Sequence, residues 1–135
     1  TVDGINVIAV GDNGLVFRSS NGGNSWSQNT YGSESFKSVT SVNDYVWISA
    51  TNGKLFKIKS VSPINEFQLT TTKTMNSIYF VNDQLGFVCG DDGLLFRTTD
   101  GGNFWAAFNS GISLTTDLKS VHFKDADNGV AVGEA

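Results

Sequence analysis

Histidine and cysteine each occur once in these 135 residues, as His122 and Cys89. A single thiol has no intrachain disulfide partner, and together the two residues cannot supply most zinc sites, so no metal is expected. Arginine occurs only twice, as Arg18 and Arg97, and Lys and Arg together number nine against 13 acids, for a net charge of −4. Cations this sparse and scattered exclude a nucleic-acid groove. No apolar run approaches the ~20 residues that cross a bilayer, so membrane insertion is not expected. No hydrophobic leader follows Thr1 either, which points to a processed chain or a segment of a longer one.

Glycine, with 15 copies, marks out a repeat. Gly14 opens GLVFRSSNGGNSW, Gly53 opens GKLFKIKSVSPINEF and Gly93 opens GLLFRTTDGGNFW, with starts 39 and 40 residues apart. Such a period signals similar units, each burying an apolar face on its neighbours. Each unit reads as four short strands: FKSVTS, MNSIYF or LKSVHF; then VIAVG, VWISA, GFVCG or GVAVG; then LVFRS, KLFKI or LLFRT; then a fourth from Trp26, Phe67 or Trp105. A helical repeat of the armadillo kind fails, because β-branched and aromatic residues cluster in five-residue runs that glycine interrupts. Consecutive apolar residues such as Leu94, Leu95 and Phe96 require sheets covered on both faces.

The expected fold is all-β: β-propeller blades, each a four-stranded antiparallel sheet, within a single partial propeller. The blade parts are 1–30, 31–70, 71–110 and 111–135, giving thirteen strands or three and a quarter blades. Closed propellers take about four to eight blades. The chain is therefore expected to be part of a larger propeller, or to complete a ring with other chains through its open edges.

Between the third and fourth strands stand two octets, SSNGGNSW (Ser19, Asn21, Gly23, Trp26) and TTDGGNFW (Thr98, Asp100, Gly102, Trp105). Both resemble the Asp-box, S/T-x-D-x-G-x-x-W, with Asn21 replacing the Asp in the first. The middle unit reads SVSPINEF and has lost the box. A hydroxyl and a carboxylate or amide oxygen can accept turn N–H groups, glycine supplies unusual backbone angles, and tryptophan plugs the hairpin. An amide cannot serve as general acid or base, so Asp100 reads as a fold residue and no catalytic residue is assigned.

These octets, with their G-x-Φ-Φ-R-[ST] lead-in and ΦK-S-Φ first strand, resemble the photosystem II stability and assembly factor-like propellers, a branch of the bacterial-neuraminidase-repeat proteins. Stretches such as SIYFVNDQLGFVCGDDGLLFRTTDGGNFW carry the resemblance across nearly the whole chain. It implies a non-catalytic scaffold. Photosynthetic members work on the lumenal side of thylakoids through an arginine-rich surface, whereas other members resemble secreted or surface proteins. A secreted, periplasmic or cell-surface location is the corresponding expectation.

A sialidase is the enzymatic relative, but its chemistry needs three arginines around a carboxylate. Arg18 and Arg97 fall short, and they occupy one repeat position, with Lys57 as the third equivalent. The reading is thus a scaffold for protein or glycan recognition with no cofactor. Its alternatives are a structural subunit of an extracellular or viral assembly and a fragment of a sialidase-like enzyme. Partner-binding candidates are Tyr31 and Phe108 on the unlike inter-blade loops. A second set is the acidic rim of Asp12, Asp91 and Asp92 beside Glu134, at hairpins where glycine and Asn or Asp suit positive φ.

Overall fold

The structure, a computed structural model, describes residues 5–59, 64–109, 111–112 and 115–134. Its strands are β1 (Val7–Val10), β2 (Leu15–Ser19), β3 (Ser27–Thr30), β4 (Phe36–Val42), β5 (Tyr45–Ala50), β6 (Lys54–Lys59) and β7 (Asn65–Gln68). They continue with β8 (Met75–Phe80), β9 (Gly86–Gly90), β10 (Leu95–Thr98), β11 (Ala106–Ala107), β12 (Asp117–Phe123) and β13 (Gly129–Glu134). Hydrogen bonding groups them as β1-β2-β3, β4-β5-β6-β7, β8-β9-β10-β11 and β12-β13, every pairing antiparallel. This is a partial propeller of about three blades, with the strand allotment that the repeat predicts.

One boundary differs from expectation. The fourth strand begins just after Trp26 and Trp105, yet Phe67 lies inside β7. Phe67 pairs with Leu55 and packs on Trp47, with ring centroids 5.2 Å apart, so it fills the sheet and does not close a turn.

Strand alternation sends neighbouring side chains to opposite junctions. On β5, Val46 and Ile48 join Val16, Phe36, Phe56 and Ile58 in the core between the first and second sheets. Trp47, between them in sequence, faces the other way, into Met75, Ile78, Phe80, Val88, Phe96 and Trp105 of the third sheet. Phe87, Cys89, Leu95, Leu118 and Val121 form the third junction, with Phe87 stacked on Phe123. Burial pushes the Cys89 thiol up to about 12, consistent with a small packing residue. Val130 and Val132 occupy the positions on β13 that Phe87 and Cys89 occupy on β9, and they are 64% and 54% exposed. That row is the face a further blade would cover.

Inner strands of successive blades are not paired in a ladder, and a serine hydroxyl bridges them. The Ser38 hydroxyl accepts the Ile78 N–H at 3.4 Å, and the Ser77 hydroxyl accepts the Val121 N–H at 3.3 Å. Each serine directly follows a break in register between the first and second strands, between Phe36 and Ser38 and between Met75 and Ser77. This assigns a role to the serine of the ΦK-S-Φ pattern. A second bridge lies at the hairpins joining the second and third strands. There Gly14, Gly53 and Gly93 donate their N–H groups to the carbonyls of Glu34, Lys73 and Thr116, on the segment entering the next blade.

Candidate functional site

The two octets form hairpin turns wired alike. In the first, the Ser19 hydroxyl donates to Asn21 Oδ1 at 2.9 Å and accepts the Gly23 N–H at 2.8 Å, while Asn21 Oδ1 accepts the Ser25 N–H at 2.9 Å. In the other, the Thr98 hydroxyl donates to Asp100 Oδ1 at 2.8 Å and accepts the Gly102 N–H at 2.9 Å, and Asp100 Oδ1 accepts the Phe104 N–H at 3.0 Å. One oxygen does the work in both, which is why an amide can replace a carboxylate. The corresponding turn of the middle unit falls on residues 60–63, outside the described residues.

The two tryptophans diverge. Trp105 is 8% exposed and meets Trp47 and Phe80 edge-on, each with ring centroids 5.8 Å apart. Trp26 is 45% exposed and donates its indole N–H to the Gly23 carbonyl at 3.0 Å. The difference comes from the neighbour: Trp105 has the second sheet to lean on.

The Phe104 N–H above all, and then the Thr98 hydroxyl, hold the Asp100 carboxyl below its usual 3.8. A depressed folded-state value stabilises the fold above the unfolded value, and that contribution is lost as pH falls through the folded one. Asp100→Asn should therefore lower the melting temperature slightly at pH 7, with the gap to wild type closing below about pH 4. Parallel melting curves that keep a constant gap across the acid range would reject this role.

The acidic rim is not an open negative field. Asp12 pairs with Lys37 at 3.7 Å and Asp92 with Lys73 at 2.6 Å, while Lys119 sits 3.9 Å from Asp91, 3.3 Å from Asp117 and 3.3 Å from Glu134. Asn76 also donates to Asp91, at 2.8 Å. Behind the rim, Lys54 lies 2.8 Å from Glu34, whose carboxyl it lowers more than any other neighbour does. Asp12 and Asp91 thus tie neighbouring blades together, whereas Asp92 pairs within the third blade. Among the described residues no group of three His, Cys, Asp or Glu side chains could hold a metal ion.

The aromatic candidates are also engaged by their own chain. Tyr31 packs against the core between the first two sheets, and its N–H donates to the Gly14 carbonyl at 2.8 Å. Phe108 is partly exposed, with the Arg97 guanidinium 5.3 Å from its ring centroid. The site that residue-by-residue reading missed lies between the first and second sheets. There a cleft of about 550 Å³ is lined by Ile8, Arg18, Ser25, Trp26, Asp44 and Val46, among others.

No curated protein matches the chain significantly. Among solved structures, YCF48 from Cyanidioschyzon merolae superposes with a TM-score of 0.77 at 17% identity, covering 96% of this chain and 45% of that one. YCF48 bound to a D1 peptide superposes with a TM-score of 0.70 at 19% identity, covering 78% of this chain and 37% of that one. The chain thus spans less than half the length of the structures it resembles, and at these identities the likeness establishes fold alone. The family model described as photosynthesis system II assembly factor YCF48 matches residues 56–135, more than half of the sequence, and the chain belongs to that family.

Proposed function

We propose that this chain is part of a non-catalytic propeller platform that recognises a segment of another protein. The observation that carries this reading is that a YCF48 of the same fold is bound to a D1 peptide. The locked blade junctions agree with it: a stack held by serine bridges, glycine N–H groups and the Lys37–Asp12 and Lys119–Asp91 pairs keeps its surface in one shape, so little ordering is needed on binding. The absence of catalysis is supported by the arginines. Arg18 faces the cleft between the first two sheets and Arg97 lies over Phe108, so the two do not converge on one substrate.

Fluorescence anisotropy with a labelled D1 peptide tests the proposal on the full chain. Saturable binding that a scrambled peptide of the same composition does not reproduce is the expected result. Equal responses to both peptides, or none from a chain that melts cooperatively, would sink the platform reading.

A further inference from the structure

The cation repeated on the third strand of each blade is answered differently at each junction. Lys57 on β6 reaches the next blade, donating to the Gly101 carbonyl at 3.4 Å, with its ammonium 4.3 Å from the Tyr45 ring centroid and 5.1 Å from that of Trp47. Arg97 on β10 rests over Phe108. Arg18 on β2 has no such answer. Its Nε and Nη2 are buried, and among the described residues they donate to no acceptor and Arg18 forms no salt bridge. Buried charged donors without partners are costly, and native proteins rarely leave them so unless something external completes them.

The identity of the two nitrogens matters. Nε and Nη2 carry the parallel N–H bonds of one guanidinium edge, the fork that takes both oxygens of a carboxylate at once. A lone carbonyl would satisfy one donor and leave the charge unanswered. A phosphate could present the same edge, but Asp44 lines the same cleft and the chain carries a net charge of −4, so a singly charged anion fits better. The half-exposed indole of Trp26 and the Val46 side chain add apolar wall.

We infer that the cleft between the first two blades binds a carboxylate, gripped side-on by Arg18, and that it belongs to a peptide as its C-terminus or an acidic side chain. The assignment to a peptide rests on the recognition-platform reading; the carboxylate grip does not.

The test uses the full chain and four probes: N-acetyl-tetra-alanine with a free C-terminus, its C-terminal amide, acetate and inorganic phosphate. The Arg18 Nε–H resonance reports occupancy in wild type, so no variant need fold for the experiment to decide. The free-acid peptide should shift that resonance saturably while the amide leaves it in place. Arg18→Lys keeps the charge but not the fork, and should weaken the peptide at least about tenfold with an unchanged melting temperature. Asp44→Asn, which removes a like charge from the cleft, should tighten it.

Acetate binding as well as the peptide does would keep the carboxylate grip and reassign its source to a small free acid. Phosphate binding more tightly than either, an equal response to the amide, or a resonance already protected from exchange in the free chain would overturn the proposal. The two readings can fail separately. A D1 peptide that binds Arg18→Lys as well as wild type removes the cleft and leaves the platform. An acid peptide that binds while the D1 peptide does not leaves the cleft alone.

Discussion

Trp47→Ala is expected to cost about 3–5 kcal/mol and to lower the melting temperature by roughly 10–15 °C. Trp47 is 1% exposed and is the more deeply buried of the two tryptophans in the core between the second and third sheets. It touches three aromatic rings, with Phe67, Phe80 and Trp105 centroids at 5.2, 5.4 and 5.8 Å. Two of these come from the third sheet and one from the second, so the cavity opens on the junction itself. Refilling by collapse would require two whole sheets to close on each other, and the serine and glycine bridges resist that. Near-ultraviolet circular dichroism should weaken with stability, because the ring cluster supplies most of the ordered aromatic contacts there. A melting point within about 3 °C of wild type would show that the junction is not a close-packed core.

Gly53→Ala should cost about 3 kcal/mol, whereas Gly22→Ala should cost only about 1 kcal/mol. Both glycines have positive φ, +67° and +69°, so backbone strain is common to the pair. They differ in what a methyl group would meet. At Gly22 there is nothing within 4 Å, while at Gly53 it would run into the Thr71 carbonyl, a main-chain group that cannot swing aside. The same loop holds the Lys73 carbonyl that accepts the Gly53 N–H at 2.8 Å, so displacing it also breaks the link to the third blade. Urea denaturation of the two variants checks the contrast. Equal midpoints would mean that the close approach between blades contributes nothing beyond local strain.

The second and third strands of each unit could be read from the sequence because each is short, largely apolar and bounded by glycine, Asn, Asp or Ser, whereas fourth strands such as SQNT and NEFQ are polar and mostly exposed. The octet turns could be read because their hydrogen bonds close within eight residues, from Ser19 to Trp26 and from Thr98 to Trp105. Long-range pairings could not. Lys37 and Asp12 are 25 residues apart, and Lys37 sits at the strand irregularity between Phe36 and Ser38, which a spacing rule does not register. Phe67 looked like a strand opener by analogy with the two tryptophans, and only its contact with Trp47 shows why an aromatic belongs mid-strand. Arg18 is the instructive case. Repeat equivalence with Lys57 and Arg97 made it look architectural, yet the three cations meet different surroundings, and two Arg18 nitrogens are left without an acceptor among the described residues.

The self-contained wiring of the octet turns has a consequence for divergence. When a turn draws most of its hydrogen bonds from its own residues, losing it in one unit removes few bonds from the others, so substitutions can accumulate largely unit by unit. Backbone superposition can then outlast sequence likeness, as TM-scores of 0.70 and 0.77 beside identities of 19% and 17% illustrate.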